Sequence, residues 1–112
     1  MLENKFYKVI SQEGSEFDVE LLADCDVYEG HFPGEPISPG VCNVQMIKEL
    51  AEKIIGREPR IEELKQVRFT ELITPVKHPR LHVSLNIEDD GKTVGVIKSG
   101  DVVCVELKCK LS

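Results

Sequence analysis

The chain has 112 residues, enough for one domain with a modest hydrophobic core and too few for two. Hydrophobic residues make up 41% of it, and no apolar run approaches the roughly 18 residues of a membrane span, so the composition favours a soluble globular protein. The net charge of −6 opposes nucleic acid or an anionic membrane as the main partner.

The N-terminus and the cysteines bear on the compartment and on cofactors. Residues 1–5 contain no basic stretch followed by an apolar core, so no secretory signal is recognised and a cytoplasmic protein is predicted. No two cysteines form a Cys-x-x-Cys pair, and four reduced thiols are expected at Cys25, Cys42, Cys104 and Cys109. His78 and His82 lack ligand spacing on a helix, so we expect no metal and no cofactor.

The first part of the chain predicts a strand hairpin. Residues 6–10 and 17–22 are short apolar-rich runs, and a polar segment with Gly14 separates them. The second run alternates apolar and acidic residues, which is typical of a half-exposed strand. Phe6, Phe17 and Phe69 are predicted core residues.

One long amphipathic helix is predicted over residues 39–55. Ser38 is a suitable N-cap, Pro39 suits the first helical position, and Gly56 follows the end. A broad stripe of the helix is apolar and is expected to be buried: Val44, Ile47, Leu50, Ala51, Ile54 and Ile55. The opposite side is polar, with an expected Lys48–Glu52 pair: Gln45, Lys48, Glu49, Glu52 and Lys53.

The rest of the chain is predicted to be β-structure. Residues 57–63 are polar and predict a loop, and a strand follows near residues 64–70. Three further runs, residues 81–88, 94–98 and 103–111, are joined by turns at Asp90-Gly91 and Ser99-Gly100 and predict an antiparallel meander. The order of elements indicates an α+β fold, a single domain over residues 1–112, with the helix on one face of the sheet. Exposed edge strands also favour a homodimer.

A constrained loop before the helix identifies a family. Its eleven residues, followed by the amphipathic helix, closely resemble the 3-hydroxyacyl-acyl-carrier-protein dehydratases, also called hydroxymyristoyl-ACP dehydratases: His31-Phe32-Pro33-Gly34-Glu35-Pro36-Ile37-Ser38-Pro39-Gly40-Val41. The family pattern continues downstream through Val67-Arg68-Phe69, Pro75 and Leu81-x-Val83.

The resemblance implies a hotdog fold, in which an antiparallel sheet wraps around one central helix. It also implies a dimer, or a higher oligomer of dimers, with two active sites at the subunit interface. In that family a histidine of one chain faces a carboxylate on the helix of the other. The carboxylate lies five residues after the last glycine of the motif, and here that position is Gln45.

The residues fit loss of water from a (3R)-hydroxyacyl thioester in fatty acid or related acyl-chain biosynthesis. His31 can remove the α-proton, because an imidazole is mostly neutral at pH 7. The backbone N–H groups of Gly40 and Val41, at the start of the helix, can bind the thioester carbonyl. The remaining predicted substrate contacts are Phe32, Pro33, Gly34, Pro39 and Glu49.

The general acid is the open question, because a glutamine cannot supply a proton near neutral pH. Gln45 can orient the leaving hydroxyl or a water while His31 carries the proton. Alternatively, Glu49 substitutes as the acid, or a partner chain in a heterodimer contributes it. The catalytic assignment is therefore His31 with assistance from Gln45.

Two further functions stay open. One is a non-catalytic or heterodimeric subunit that binds acyl thioesters, and the other is a thioesterase in which Glu49 activates water. The carrier of the acyl group is equally open: the family often has a basic pair after Val-Arg-Phe, whereas this chain has Thr70-Glu71. Arg68, Lys77 and Arg80 could still receive an acidic acyl carrier protein, and the alternative is a coenzyme A thioester.

Overall fold

A six-stranded antiparallel sheet and one long helix make up the fold in the computed structural model, which describes residues 2–28 and 38–112. The elements in chain order are β1 (Tyr7–Glu13), β2 (Glu16–Leu21), a short 3-10 turn (Asp26–Tyr28), α1 (Gly40–Ile55), β3 (Ile61–Phe69), β4 (Arg80–Ile87), β5 (Lys92–Ser99) and β6 (Val102–Leu111). The predicted α+β class, with an antiparallel sheet and a single helix, is confirmed.

The strands run in the order β1-β2-β4-β5-β6-β3 across the sheet. The predicted hairpin of β1 and β2 and the predicted meander of β4, β5 and β6 are both present. The loop predicted over residues 57–63 is wrong at its end, because β3 begins at Ile61. β3 pairs with β6 alone and leaves its other side unpaired within the described residues. At the opposite edge, β1 pairs with β2 and forms one isolated bridge between Tyr7 and Glu3.

Helix α1 ends at Ile55 as predicted but begins at Gly40, one residue after the predicted start, so Pro39 is not the first helical residue and the predicted cap is wrong. Pro39 takes the cap position with φ −63° and ψ 141°, and no side chain caps the helix. The Ser38 hydroxyl instead donates to Asn43 Oδ1 at 2.6 Å. At the other end Gly56 has a φ of 85°, and its N–H donates to the Glu52 carbonyl at 2.8 Å.

The buried face of α1 is centred on part of the predicted stripe. Ile47, Leu50 and Ala51 are buried as predicted, whereas the other three stripe residues are half-buried. The placement of Glu49 on the exposed polar side is wrong, since only 4% of this residue is exposed. The helix approaches β5 closely, because a Cβ at Gly95 would lie 3.3 Å from Ile47 Cγ2.

The core lies between α1 and the inner face of the sheet and includes Phe6, Phe17, Val83 and Leu107. Phe69 was predicted to join it, but this side chain is 50% exposed on β3. All four cysteines carry free thiols. Among the described residues, no helix has the length and the apolar character required to cross a membrane.

Apolar side chains concentrate at the free edge of the sheet and beside it. We call this set the β3 edge surface, and each member is at least 48% exposed: Val41, Leu64, Phe69, Leu72 and Val76. Val41 opens α1, two of the others lie on β3, and two follow it. Exposed apolar groups together with a free strand edge are features of a surface that another chain covers.

Candidate functional site

The start of α1 offers two backbone donors. The N–H groups of Cys42 and Asn43 both return to the Pro39 carbonyl, at 3.0 and 3.2 Å. Within residues 2–28 and 38–112, no acceptor pairs with the N–H groups of Gly40 and Val41. These donors lie at the positive end of the helix dipole, so they can stabilise an oxygen that gains negative charge.

Gly40 packs closely against the Phe69 ring. A Cβ at this position would lie 2.9 Å from Phe69 Cζ, closer than such atoms approach in proteins. A larger residue at position 40 would therefore require this ring, which is 50% exposed, to shift.

The segment that carries the predicted base lies outside the described residues. His31, Phe32, Pro33 and Gly34 all belong to it. The chain is anchored on both sides of it. Tyr28 is 8% exposed and stacks on Phe6 with ring centroids 6.0 Å apart, and the Ser38 N–H donates to the Ile73 carbonyl at 2.7 Å. The adjoining Pro39 is buried.

Gln45 lies one turn along α1 from Val41 and contacts a buried carboxylate. Its Nε2 donates to Glu49 Oε2 at 3.0 Å. The same oxygen accepts the Leu2 N–H at 2.8 Å. Glu49 Oε1 accepts the Glu3 N–H at 2.9 Å and the Tyr7 hydroxyl at 3.0 Å. Four donors from two parts of the chain therefore converge on one side chain.

These contacts fix the charge of Glu49. Burial raises the pKa of its carboxyl group, but the hydrogen bonds from Leu2, Gln45, Tyr7 and Glu3 outweigh burial and lower the pKa below its usual range. Burial and the neighbouring Glu49 charge raise the pKa of the Tyr7 hydroxyl, which stays a neutral donor. Because the carboxylate is ionised and both oxygens are engaged, Glu49 is poorly suited to supply a proton or to activate water.

No sequence pattern predicts the N-terminal contacts of Glu49. Leu2 and Glu3 are 47 and 46 positions away from it, so neither helical periodicity nor motif spacing connects them. The one available hint was Tyr7, an aromatic residue with a hydroxyl group that requires a partner when buried.

A small cavity adjoins this pair of side chains. It has a volume of about 80 Å³ and is lined by Gln45, Lys48, Glu49, Glu52, Glu58 and Pro59. Such a volume suits a few water molecules or one polar group and is too small for an acyl chain. The predicted Lys48–Glu52 pair is replaced here by Lys48 with Glu58, at 3.9 Å.

The other two histidines have structural partners. The Thr74 N–H donates to His78 Nδ1 at 3.2 Å. His82 lies on the outer face of the sheet, where its ring nitrogens are each 2.9 Å from a carboxylate oxygen, of Asp18 and of Glu16. Across the part of the chain that the structure describes, no three His, Cys, Asp or Glu residues are arranged to hold a metal ion.

Comparison with known proteins places these features in a family. The family model described as "ApeI-like: ApeI dehydratase" matches residues 8–106. A protein of Lactiplantibacillus plantarum named 3-hydroxyacyl-[acyl-carrier-protein] dehydratase FabZ is 29% identical over 65 residues, 52% of this chain and 44% of the relative. The protein of the same name from Herpetosiphon aurantiacus is 33% identical over 66 residues, 53% and 47% of the two chains. The chain thus spans about half the length of these curated relatives.

Solved structures share the fold. A chain of the dehydratase heterocomplex ApeI:P from Xenorhabdus doucetiae superposes with a TM-score of 0.74 at 19% identity, covering 92% of this chain and 95% of that one. An uncharacterised protein from Erwinia carotovora subsp. atroseptica gives a TM-score of 0.64 at 20% identity, covering 95% and 91%. The six-stranded sheet with its one helix is accordingly a hotdog fold, and by the match over residues 8–106 the chain belongs to the ApeI-like dehydratase family.

Proposed function

We propose that the protein removes water reversibly from (3R)-hydroxyacyl thioesters to give trans-2-enoyl thioesters, in fatty acid or related acyl-chain biosynthesis. The observation that carries the proposal is the start of α1. It presents the N–H groups of Gly40 and Val41 without an acceptor among the described residues, and Gln45 lies one turn further on. Membership of a dehydratase family and curated relatives named 3-hydroxyacyl-ACP dehydratases support it.

The proposed reaction uses His31 as the base. Its imidazole takes the proton from C2, and negative charge develops on the thioester oxygen, where the Gly40 and Val41 N–H groups donate to it. The C3–O bond then breaks, and the leaving oxygen takes a proton to depart as water. His31 can return the proton it removed, since both groups leave from one face in a syn elimination, and Gln45 orients the hydroxyl.

Substrate contacts are proposed along the motif and the helix start. Phe32, Pro33 and Gly34 are proposed to contact the acyl group, and so is Pro39, which directly precedes α1. The acyl group is carried by an acyl carrier protein or by coenzyme A. Among the basic residues proposed to receive a carrier protein, Arg68 also has an acidic neighbour, Glu106, at 3.8 Å.

A second chain is proposed to complete each site. The β3 edge surface lies beside the start of α1, and β3 has a free edge within the described residues. Pairing this edge with that of another copy would satisfy strand hydrogen bonds and cover the apolar side chains. A homodimer, or a higher oligomer of dimers, would then bring His31 of one chain to Gln45 of the other, as the motif's resemblance implies.

The reaction itself can be tested directly. The purified protein is incubated with trans-2-enoyl thioesters of several chain lengths, on coenzyme A and on acyl carrier protein, and hydration is followed by loss of the enoyl absorbance. We expect hydration that is lost in His31→Ala. Absence of activity on every substrate, or full activity in His31→Ala, would contradict the proposal.

A heterodimeric subunit is the second candidate, and one observation favours it. The structural neighbour from Xenorhabdus doucetiae is a dehydratase heterocomplex. Under this alternative the chain supplies His31, and a different dehydratase-like chain supplies the acid that Gln45 lacks. Size-exclusion chromatography with such a chain, followed by assay of the separate and mixed samples, distinguishes the two: activity only on mixing supports the heterodimer. A thioesterase is disfavoured, because Glu49 already accepts four hydrogen bonds.

A further inference from the structure

We propose that Glu49 is a positioning residue, which holds one amide hydrogen of Gln45 and so turns the Gln45 carbonyl oxygen towards the 3-hydroxyl group of the substrate. This inference rests on the proposed dehydratase function. It adds a basis for selecting hydroxyacyl over plain acyl thioesters, a selection that neither the start of α1 nor His31 provides.

The chemistry of the two side chains sets the orientation of the amide. An ionised carboxylate only accepts hydrogen bonds, so the Gln45 atom 3.0 Å from Glu49 Oε2 must be the donor, Nε2. The carbonyl oxygen Oε1 then lies on the other arm of the planar amide, with its lone pairs free of Glu49. A hydroxyl group that meets this oxygen can donate to it.

Glu49 is itself held in place by the N-terminal residues. Each of its oxygens accepts one backbone N–H, from Leu2 or from Glu3, and one side-chain donor. A second contact docks the same segment on α1, since Lys53 Nζ lies 3.0 Å from Glu3 Oε2. Any rotation of the Glu49 side chain would break several of these bonds together, so Gln45 is bonded to a fixed group.

The cavity beside the pair provides room for this contact. Gln45 and Glu49 both line it, and its volume of about 80 Å³ is sufficient for a hydroxyl group or for the water that leaves. A site built to bond a substrate hydroxyl discriminates against the analogue that lacks it, because the polar group of the site is then left without a partner. Gln45 with a fixed amide should therefore favour a 3-hydroxyacyl group.

The test measures ligand binding and the hydrogen bond of the Gln45 side-chain amide separately. Dissociation constants are determined for (3R)-hydroxyoctanoyl-coenzyme A and octanoyl-coenzyme A with the full chain, and the ratio of the two is the hydroxyl preference. The variants are Glu49→Gln, Gln45→Met and the double variant, with the exposed Glu13→Gln as the matched control. Side-chain amide NMR of the wild type adds a readout that needs no variant to fold. The exposed Gln66 serves as the internal reference, since the Gln12 amide itself donates to the Gly14 carbonyl at 3.1 Å.

We expect the wild type and Glu13→Gln to prefer the hydroxyacyl ligand by about tenfold, the effect of one hydrogen bond. Gln45→Met should abolish the preference, and Glu49→Gln should reduce it. In the double variant the loss should equal that of Gln45→Met alone, because Glu49 acts through Gln45. One Gln45 Nε2 proton should also be shifted downfield and exchange more slowly than those of Gln66.

Two results would overturn the inference while the dehydratase proposal stands. One is an active enzyme whose Glu49→Gln variant keeps the full preference, and the other is a Gln45 amide signal like that of Gln66. A wild type that shows the shifted amide signal yet neither binds nor hydrates any thioester would instead refute the dehydratase proposal, and the inference with it.

Discussion

Replacing Glu49 by glutamine should destabilise the fold, because the Glu49 carboxylate accepts four hydrogen bonds. The variant puts an NH₂ group where an oxygen now accepts two donors, and each Glu49 oxygen accepts one backbone N–H. Either orientation of the new amide therefore leaves the N–H of Leu2 or of Glu3 facing another donor. A buried donor without a partner costs about 1–3 kcal/mol, and the remaining bonds lose the assistance of the charge.

The expected loss in the free energy of unfolding is about 2–4 kcal/mol, out of the 5–15 kcal/mol typical of a domain. It corresponds to a fall in Tm of about 10–20 °C for a chain of this size. Urea denaturation followed by circular dichroism measures the loss directly. Glu52→Gln is the matched control, because it makes the same chemical change on the same helix.

The pH dependence of the loss supplies a second check. The pKa of Glu49 is lowered in the fold from its ordinary value of 4.5, so its contribution to stability is present above that value and disappears as pH falls through the folded pKa. The difference between wild type and Glu49→Gln should therefore shrink below about pH 4.5. Equal stability of Glu49→Gln and Glu52→Gln at pH 7 would refute the assigned hydrogen-bond set.

Three further outcomes are expected. Hydrogen bonds to its two carboxylate partners raise the pKa of His82 above its ordinary 6.5 and lower the pKa values of the partners. His82→Ala should therefore reduce Tm between about pH 4.5 and 6.5, and its Tm should converge on that of the wild type as pH rises further. A constant difference in Tm up to pH 9 would argue against this pair of interactions. Gly91→Ala should destabilise the fold by about 2–4 kcal/mol, since the φ of Gly91 is 94° and a Cβ there would meet the Leu111 backbone oxygen. Gly100→Ala should cost only about 1 kcal/mol, since Gly100 has a φ of 60° and open space around it. Thermal melts measure both, and equal costs would contradict the steric reasoning. Gln45→Glu should raise kcat for dehydration by up to about 10²-fold, because repulsion from Glu49 keeps the introduced carboxyl group protonated near neutral pH. An unchanged or lower rate would show that position 45 does not act on the leaving group.

The strands in which apolar and polar side chains alternate could be predicted from the sequence. The bounds of a strand without this alternation could not. β4 and β6 carry an apolar residue at nearly every second position, because one of their faces packs on the core. β3 begins three residues before its predicted start, and its exposure pattern explains the difference: within the chain it lies at the edge of the sheet with little of either face buried. The core of a single chain imposes the alternation of apolar and polar residues on strands that pack against it. A strand whose apolar side chains face outwards lacks this alternation.

The helix shows the same division between local and distant causes. Gly56 ends α1 as predicted, because its left-handed conformation is a local requirement. Ser38 was an equally good local choice for the N-cap, yet its hydroxyl bonds to the Asn43 side chain and its N–H to the Ile73 carbonyl. The contact with Ile73 is between residues far apart in the chain, and the periodicity of the helix carries no information on it.

Gln45 has a different meaning once its neighbour is known. Within the motif it is a missing acid, and the chemistry then depends on what replaces the lost proton. Next to Glu49 it is an amide of fixed direction, which fits recognition of a hydroxyl group better than protonation of one. If the enzyme acts alone, proton delivery to the leaving oxygen falls to His31 or to water, so protonation rather than binding should limit its rate. If a partner chain supplies the acid, the same Gln45 would still select the substrate, and mixing the two chains should raise kcat while leaving the hydroxyl preference unchanged.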